Sequence, residues 1–291
     1  MPTRVNLNGA ILAGEDATVS VFDHGFLYGD AVYETLRTYE GRPFLLPEHF
    51  LRLEEAAGTL GIDVGWDLGR VRCEIDRTLR EAENGSEWLI RIIVTRGIGA
   101  VSPDPESCRE STRIIIVIPH HENPPELYRE GVGIAISPRR RDPVIASIKT
   151  GNLIHQVLGA RDARARGVAE IIFLGPDGYL SDGTRSNLFL VRGRELLTPS
   201  KECGIVRGIT RNMVMEVARD LGIGVVEGGF VPGIIASCPE AFLTSTTRGI
   251  MPVTRIDGQP VGDGKVGPTT GRLNEAYRAA VKRQIERDRE P

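Results

Sequence analysis

Lysine is scarce among the basic residues of this chain. Of its 36 basic residues only four are lysine, at positions 149, 201, 265 and 282; the others are arginine. Where a cation alone would serve, the chain therefore uses Arg. Lys201 lies in a Pro-Ser-Lys-Glu turn, Lys265 in Gly-Asp-Gly-Lys and Lys282 on a charged C-terminal helix. Only Lys149 ends a short apolar stretch, read as a strand, in Pro143-Val144-Ile145-Ala146-Ser147-Ile148-Lys149-Thr150-Gly151-Asn152. Burial there disfavours a charged amine. Lysine can lose its proton and form an imine, whereas arginine can do neither. The plain alternative is a lysine that snorkels from a strand end.

Other absences narrow the class. The four cysteines (73, 108, 203 and 238) form no C-x-x-C pair, which speaks against a disulfide framework or a zinc site and suits a reducing cytoplasm. The five histidines show no ligand spacing, so no metal is expected. A net charge of −3 gives no reason to expect nucleic acid or a membrane surface as partner. Apolar runs such as Ile114 to Ile118 are too short to span a bilayer. The stretch Met1 to Asn6 has no apolar signal core, so a cytoplasmic location is expected. With 41% hydrophobic and 26% charged residues over 291 positions, the chain reads as a soluble protein of two domains or one large one.

The periodicity predicts an α+β fold. Arg4 to Leu12 reads as a hairpin turning at Asn8-Gly9, and Tyr28 to Tyr39 as a strand. Pro47 opens a helix at its first position, with Phe50, Leu53, Ala57 and Leu60 on one face and Gly61 as its stop. Asp67 caps a second helix with Val71, Ile75, Leu79 and Ala82 on one face. Glu87 to Arg96 and Ser111 to Ile118 are β-rich. The stretch PHHENPPEL is the linker candidate, which places a small N-terminal domain at 1–118, a linker at 119–127 and a larger domain at 128–291. The second half begins with Val132 to Ser137, a PRRRDP loop and the lysine strand. A helix follows from Asn152 to Arg166, with Leu153, Val157, Ala160 and Arg161 at helical spacing. Then come short strands, a helix after Gly208-Ile209-Thr210-Arg211, and a C-terminal helix from about Thr269.

Four features suggest chemistry together. Gly208-Ile209-Thr210 opens a helix, where unpaired N–H groups and the dipole favour an anion; Thr210 as a simple N-cap is the alternative. Thr244-Ser245-Thr246-Thr247 places four hydroxyls in a row after an apolar strand, or is merely a polar loop. Asp182, read in a tight turn between strands, is either an Asx-turn residue or a carboxylate for a cationic ring nitrogen. Arg52, one position from its helix's apolar stripe, either reaches inward or lies on the surface. An imine-forming lysine, a phosphate cradle and a carboxylate for a pyridinium are what pyridoxal phosphate needs as an electron sink.

These motifs, in this order, resemble the fold-type IV pyridoxal-phosphate enzymes: branched-chain and D-amino acid aminotransferases, (R)-amine transaminases and aminodeoxychorismate lyase. The resemblance runs from Asp23-His24-Gly25 to Gly267-Pro268. It rests on LLPEHFLRL, on the lysine followed by Asn152, on GYLSDGTRSNLFLV, on the GITR helix start and on the TSTT loop. It implies a two-domain fold like that of D-amino acid aminotransferase, with a small N-terminal α/β domain and a larger β-rich domain with flanking helices. Lys149 should carry the internal aldimine. Arg52, Ile209, Thr210 and Thr246 should hold the phosphate, and Asp182 the pyridine nitrogen. The N–H groups of Thr247 and Arg248 should help bind the substrate carboxylate, with Tyr28, Tyr33, Arg37 and Arg96 in the pocket wall. A homodimer is also implied.

The chain departs from the family pattern at three points. Asp182 replaces the usual Glu, one methylene longer. Leu153 stands near the position of a tyrosine typical of branched-chain enzymes. Gly97-Ile98-Gly99 lacks the Arg-x-His pair of bacillar D-enzymes. The expected activity is transfer of an amino group from a branched-chain L-amino acid or a D-amino acid to a 2-oxo acid. The alternatives are aminodeoxychorismate lyase, making 4-aminobenzoate and pyruvate, and a non-catalytic cofactor-binding module.

Overall fold

The computed structural model describes residues 3–82, 87–140 and 146–288. It divides the chain into two compact units. The first comprises Met1–His121 with Ile148–Leu153, and the second Glu122–Ser147 with Ile154–Pro291. The lysine segment thus belongs to the first unit, whereas the sequence reading places all of 128–291 in one domain.

The first unit is a six-stranded sheet with helices packed on it. Its strands are β1 (Arg4–Leu7), β2 (Ala10–Ala13), β3 (Ala31–Tyr39), β4 (Arg42–Pro43), β5 (Trp88–Thr95) and β6 (Thr112–Pro119), in the order β2-β1-β6-β5-β3-β4. The β1–β2 hairpin turns at Asn8 and Gly9, both at positive φ (52° and 95°), as the Asn-Gly pair predicts. The strand expected from Tyr28 begins instead at Ala31. Residues His24–Tyr28 form a short helix, α1, capped by the Asp23 carboxylate and ended by left-handed Gly29.

Helix α2 (Leu46–Leu60) starts one residue earlier than expected, so Pro47 is its second residue, and left-handed Gly61 ends it. Helix α3 (Leu68–Arg80) is capped by Asp67, whose carboxylate accepts from the Arg70 N–H. Period two in the strands and 3.6 in the helices meet in one core. Val32, Leu36, Ile90, Ile92, Val94, Ile115 and Val117 face Leu46, Phe50, Leu53, Val71 and Ile75. Ile148 packs against this core, so the residue beside Lys149 is an anchor. Full burial of such a side chain contributes roughly 1.5–3 kcal/mol, and Ile148, partly buried, contributes less.

The second unit is a larger sheet of nine strands among the described residues. They are β7 (Val132–Arg140), β8 (Glu170–Leu174), β9 (Leu180–Gly183), β10 (Asn187–Arg192), β11 (Glu195–Pro199), β12 (Gly224–Gly228), β13 (Glu240–Ser245), β14 (Gly249–Ile256) and β15 (Gln259–Pro260). The order is β12-β11-β10-β13-β14-β7-β8-β9, with β15 beside β14. Its helices are α4 (Pro125–Glu130), α5 (Ile154–Ala165), α6 (Ile209–Asp220) and α7 (Pro268–Arg287).

Strand β7 takes in Pro138–Arg140, part of the expected PRRRDP loop; the remainder of that loop lies outside the described residues. Four of the nine linker positions, 119–127, are likewise structured: Pro119 closes β6, and Pro125 to Leu127 open α4. No helix among the described residues is long and apolar enough to cross a membrane.

Helix α5 packs on a face that its large residues do not announce. It buries Gly159 and Ala163, while Val157, expected on the apolar stripe, is 60% exposed. The reason is close approach. A Cβ on Gly159 would stand 2.7 Å from Phe173 Cζ and 2.6 Å from Thr184 Cγ2. Small residues let α5 lie against β8 and brace the turn after β9.

Candidate active site

Lys149 is not on a strand. Ala146 and Ser147 are helical, Lys149 is irregular and Thr150 forms an isolated bridge to Val32; Val144 and Ile145 lie outside the described residues. The segment is tied instead to β3 by backbone. The Tyr33 N–H donates to the Lys149 carbonyl (3.1 Å) and the Gly151 N–H to the Ala31 carbonyl (2.7 Å). These bonds hold the half-buried Lys149 Nζ 4.3 Å from the centre of the Tyr33 ring. The Arg91 guanidinium lies 4.2 Å from that ring. An aromatic π face attracts a cation only modestly. Among the described residues Lys149 forms no ion pair.

The residue after Tyr33 on β3 is a buried carboxylate that sequence reasoning missed. Glu34 is on the core face of β3, between Val32 and Leu36, and is fully buried. An acid at a core position in a period-two pattern was the available signal. Arg52 Nε donates to Glu34 Oε1 (2.6 Å) and Arg52 Nη2 to Oε2 (2.8 Å). His49 Nδ1 stands 2.7 Å from the same Oε2. Burial by itself would raise the Glu34 pKa, but the Arg52 charge and the His49 hydrogen bond outweigh it and hold the carboxyl well below its usual range. Burial lowers the His49 pKa from its ordinary 6.5, and the charges of Arg52 and Lys149 add to this against the pull of Glu34. His49 is thus neutral at pH 7. Because an ionised Glu34 only accepts, the ring proton sits on Nδ1. Of the two readings the sequence left open, Arg52 takes the inward one, and a two-point contact with Glu34 aims it.

Both shifts are downward, so the unfolded chain binds more protons than the folded one and stability falls as pH falls. The His49 contribution is lost below its ordinary 6.5 and the Glu34 contribution below 4.5. Melting temperature measured from about pH 8 to 4 should decline from near 6.5 downward, and His49→Gln should remove the upper part of that decline. A wild-type curve level to about pH 5 would contradict this account.

The second unit carries a different cluster. Asp182 lies within β9, not in the turn where the sequence places it, and is 6% exposed. The turn follows at residues 184–186. Asp182 Oδ1 accepts from Asn187 Nδ2 (2.6 Å) and Oδ2 from the Val206 N–H (2.7 Å). Asn187 also donates to the Val206 carbonyl (2.9 Å). Gly208, with no side-chain cap, precedes α6. Thr210 is therefore the second helical residue and not the N-cap. Only glycine fits at 208, since a Cβ there would stand 2.0 Å from Asn187 Oδ1. The α6 amino terminus is thus held against the Asn187–Asp182 pair, and its first N–H groups, including those of Ile209 and Thr210, lie beyond the helical ladder. The Thr244 and Ser245 hydroxyls are buried with no hydrogen-bond partner among the described residues.

After Thr246 and Thr247 the chain reaches Arg248, whose N–H closes the turn onto the Ser245 carbonyl (3.2 Å). That N–H, expected to meet a substrate carboxylate, is engaged within the turn. Arg248 Nη1 donates to Glu170 Oε2 (2.6 Å). Glu170 is fully buried, and its Oε1 accepts from the Arg185 N–H and from Ser186 Oγ, each at 2.8 Å. Partial loss of water around the Arg185 guanidinium, and the like charge of Arg248, draw the Arg185 pKa below its ordinary value.

Three further residues expected in the pocket wall make contacts within the first unit. Arg96 pairs with Asp30 and donates to the carbonyls of Leu60 (2.7 Å) and Gly61 (2.9 Å), so it caps the C-terminus of α2. Arg37 stacks 4.1 Å above the Tyr39 ring. It shares the Tyr33 face of β3 but lies about 13 Å further along. Tyr28 ends α1 and meets His24 edge-on at 4.9 Å.

The lysine amine of the first unit, and in the second unit a helix terminus with orphan N–H groups, buried hydroxyls unpartnered among the described residues and a hydrogen-bonded carboxylate, are each of a kind that a phosphorylated aldehyde cofactor uses. A model of the class IV amino-transferases matches residues 31–256. The chain is 37% identical over 278 residues to a Methanocaldococcus jannaschii protein provisionally named a branched-chain-amino-acid aminotransferase, covering 94% of this chain and 95% of that one. It is 31% identical over 284 residues to the aminodeoxychorismate lyase of Bacillus subtilis, covering 97% and 96%. Among solved structures, the branched-chain aminotransferase of the thermophilic archaeon Thermoproteus uzoniensis, with norvaline, superposes with a TM-score of 0.88 at 30% identity, covering 98% and 96%. The chain belongs to the class IV aminotransferase family. Its fold is the α+β fold-type IV architecture, and its cofactor is pyridoxal 5′-phosphate.

Proposed function

We propose that this aminotransferase moves the amino group of a branched-chain L-amino acid or a D-amino acid to a 2-oxo acid, with Lys149 as its catalytic residue. The observation that carries this reading is the Lys149 amine fixed over Tyr33 by two backbone bonds to β3. Pyridoxal phosphate, when bound, supplies an electron sink for the charge left at the substrate α-carbon. Lys149 Nζ takes the α-proton and returns it, as general base and then acid. Arg52, aimed by Glu34, and the α6 terminus at Ile209 and Thr210, with Thr246, hold the phosphate. Asp182, kept in place by Asn187 and the Val206 N–H, holds a proton on the ring nitrogen. Tyr33 lines the site beside the amine. The Thr247 N–H meets the substrate carboxylate, while the Arg248 N–H holds the turn through the Ser245 carbonyl.

The free state of the four cysteines supports work in a reducing cytoplasm, and the family likeness supports a homodimer. A lyase producing 4-aminobenzoate and pyruvate is the second reading, favoured by the Bacillus subtilis relative. The visible spectrum separates them. A yellow band that a single amino acid bleaches and a 2-oxo acid restores is the expected result, and the enantiomer that bleaches it fixes the stereochemistry. A band that no donor changes, in a protein that splits aminodeoxychorismate, would replace the first reading by the second.

A further inference from the structure

We infer that Arg185 is the residue that grips the carboxylate of the amino acid or oxo acid, with Glu170 and Arg248 as its positioning frame. This rests on the aminotransferase reading. Glu170 is the hub. One of its carboxylate oxygens accepts from the Arg185 N–H and Ser186 Oγ, and the other from Arg248 Nη1. Both oxygens are thereby engaged by partners other than the Arg185 guanidinium, and that guanidinium has no hydrogen-bond partner among the described residues. Two arginines share one buried carboxylate, so the cluster keeps an uncompensated positive charge.

Its place in the unit gives that charge a use. Arg185 sits in the turn between β9, which carries Asp182, and β10, whose first residue Asn187 pairs in register with Thr244 of β13. The TSTT loop leaves β13 at that end, with the unpartnered Thr244 and Ser245 hydroxyls beside it. Helix α5 braces the turn through the contact of Gly159 with Thr184. The Arg185 backbone is therefore fixed on both sides, while its side chain remains exposed. A planar fork held by its backbone and lacking an internal acceptor is suited to a bidentate carboxylate. Arg248, locked to Glu170, cannot serve in that way without leaving Glu170 buried and unpaired.

Binding of a non-reacting acid to the holoenzyme tests this without turnover. Titration calorimetry with 4-methylpentanoate and its uncharged amide should show the acid bound about 10–100-fold more tightly by wild type. Arg185→Met should abolish that preference, Arg185→Lys should keep part of it, and the control Arg161→Met, on the exposed face of α5, should keep it all. In turnover, Arg185→Met should raise KM for amino acids far more than for 1-phenylethylamine, which has no carboxylate. Equal affinity of wild type for acid and amide, or an unchanged preference in Arg185→Met, would overturn the assignment. Failure of every amino donor to bleach the wild-type band would count against the aminotransferase reading alone, because the acid-over-amide preference is read independently.

Discussion

Lys149→Ala should lose about 10⁴-fold or more in turnover, because in the proposed reaction the nucleophilic amine and the proton shuttle are one atom. The yellow band should shift as well, since the remaining lysines lie in a turn, a glycine loop and a terminal helix and offer no substitute. Stability should change little. Lys149 is half-buried, its amine rests on an aromatic face, and the segment is held by backbone bonds and by Ile148, which the substitution leaves in place. Added methylamine provides the second check by restoring part of the activity if only the base is missing. Turnover within tenfold of wild type in the Ala variant would remove Lys149 from the chemistry.

Glu34→Gln should be the most damaging change away from the lysine itself. Glu34 is fully buried with Arg52 and His49 on its two oxygens, and removing its charge leaves Arg52 without a buried counter-charge. Loss of one partner from such a pair costs about 3–5 kcal/mol. Cofactor affinity should fall at least about tenfold, because Arg52 loses the two-point contact that aims it. The measurement is the dissociation constant for pyridoxal phosphate together with the melting temperature. A lower melting temperature with unaltered cofactor affinity would reduce Glu34 to a core residue with no bearing on the site.

Local physics makes much of this structure legible in the sequence. The Asn8-Gly9 hairpin, the Asp67 cap and the alternating strands of the first sheet each follow from a few adjacent residues. The motif residues are legible by type, since a scarce lysine and a glycine before a helix carry their own chemistry. What stays hidden depends on partners distant in sequence. The apolar neighbours of Lys149 imply a strand, yet Ile148 beside it is apolar to reach a core built by β3, α2 and β5. The polar residues around Asp182 imply a turn, yet β9 buries all four of its residues and satisfies the carboxylate from Asn187 and Val206. Helix α5 misleads for the opposite reason, since its contact face is defined by a glycine and an alanine. The motif around Arg96 implies a pocket residue, but its donors meet Asp30 and the end of α2, a contact 35 residues away.

The lysine segment has a consequence for how the protein can be divided or recombined. The chain passes from the first unit to the second after His121, returns at Ile148 and leaves again after Leu153. A fragment ending at His121 would contain the strand that seats the lysine but not the lysine, and a fragment beginning at Glu122 the reverse. A cut at the 121/122 boundary therefore separates the Lys149 amine from its seat, and a single cut between the units keeps the two together only when it falls after Leu153. Chimeras between relatives must therefore match three junctions at once, and a crossover that mismatches the six-residue return would separate inheritance of the amine from inheritance of the strand that orients it.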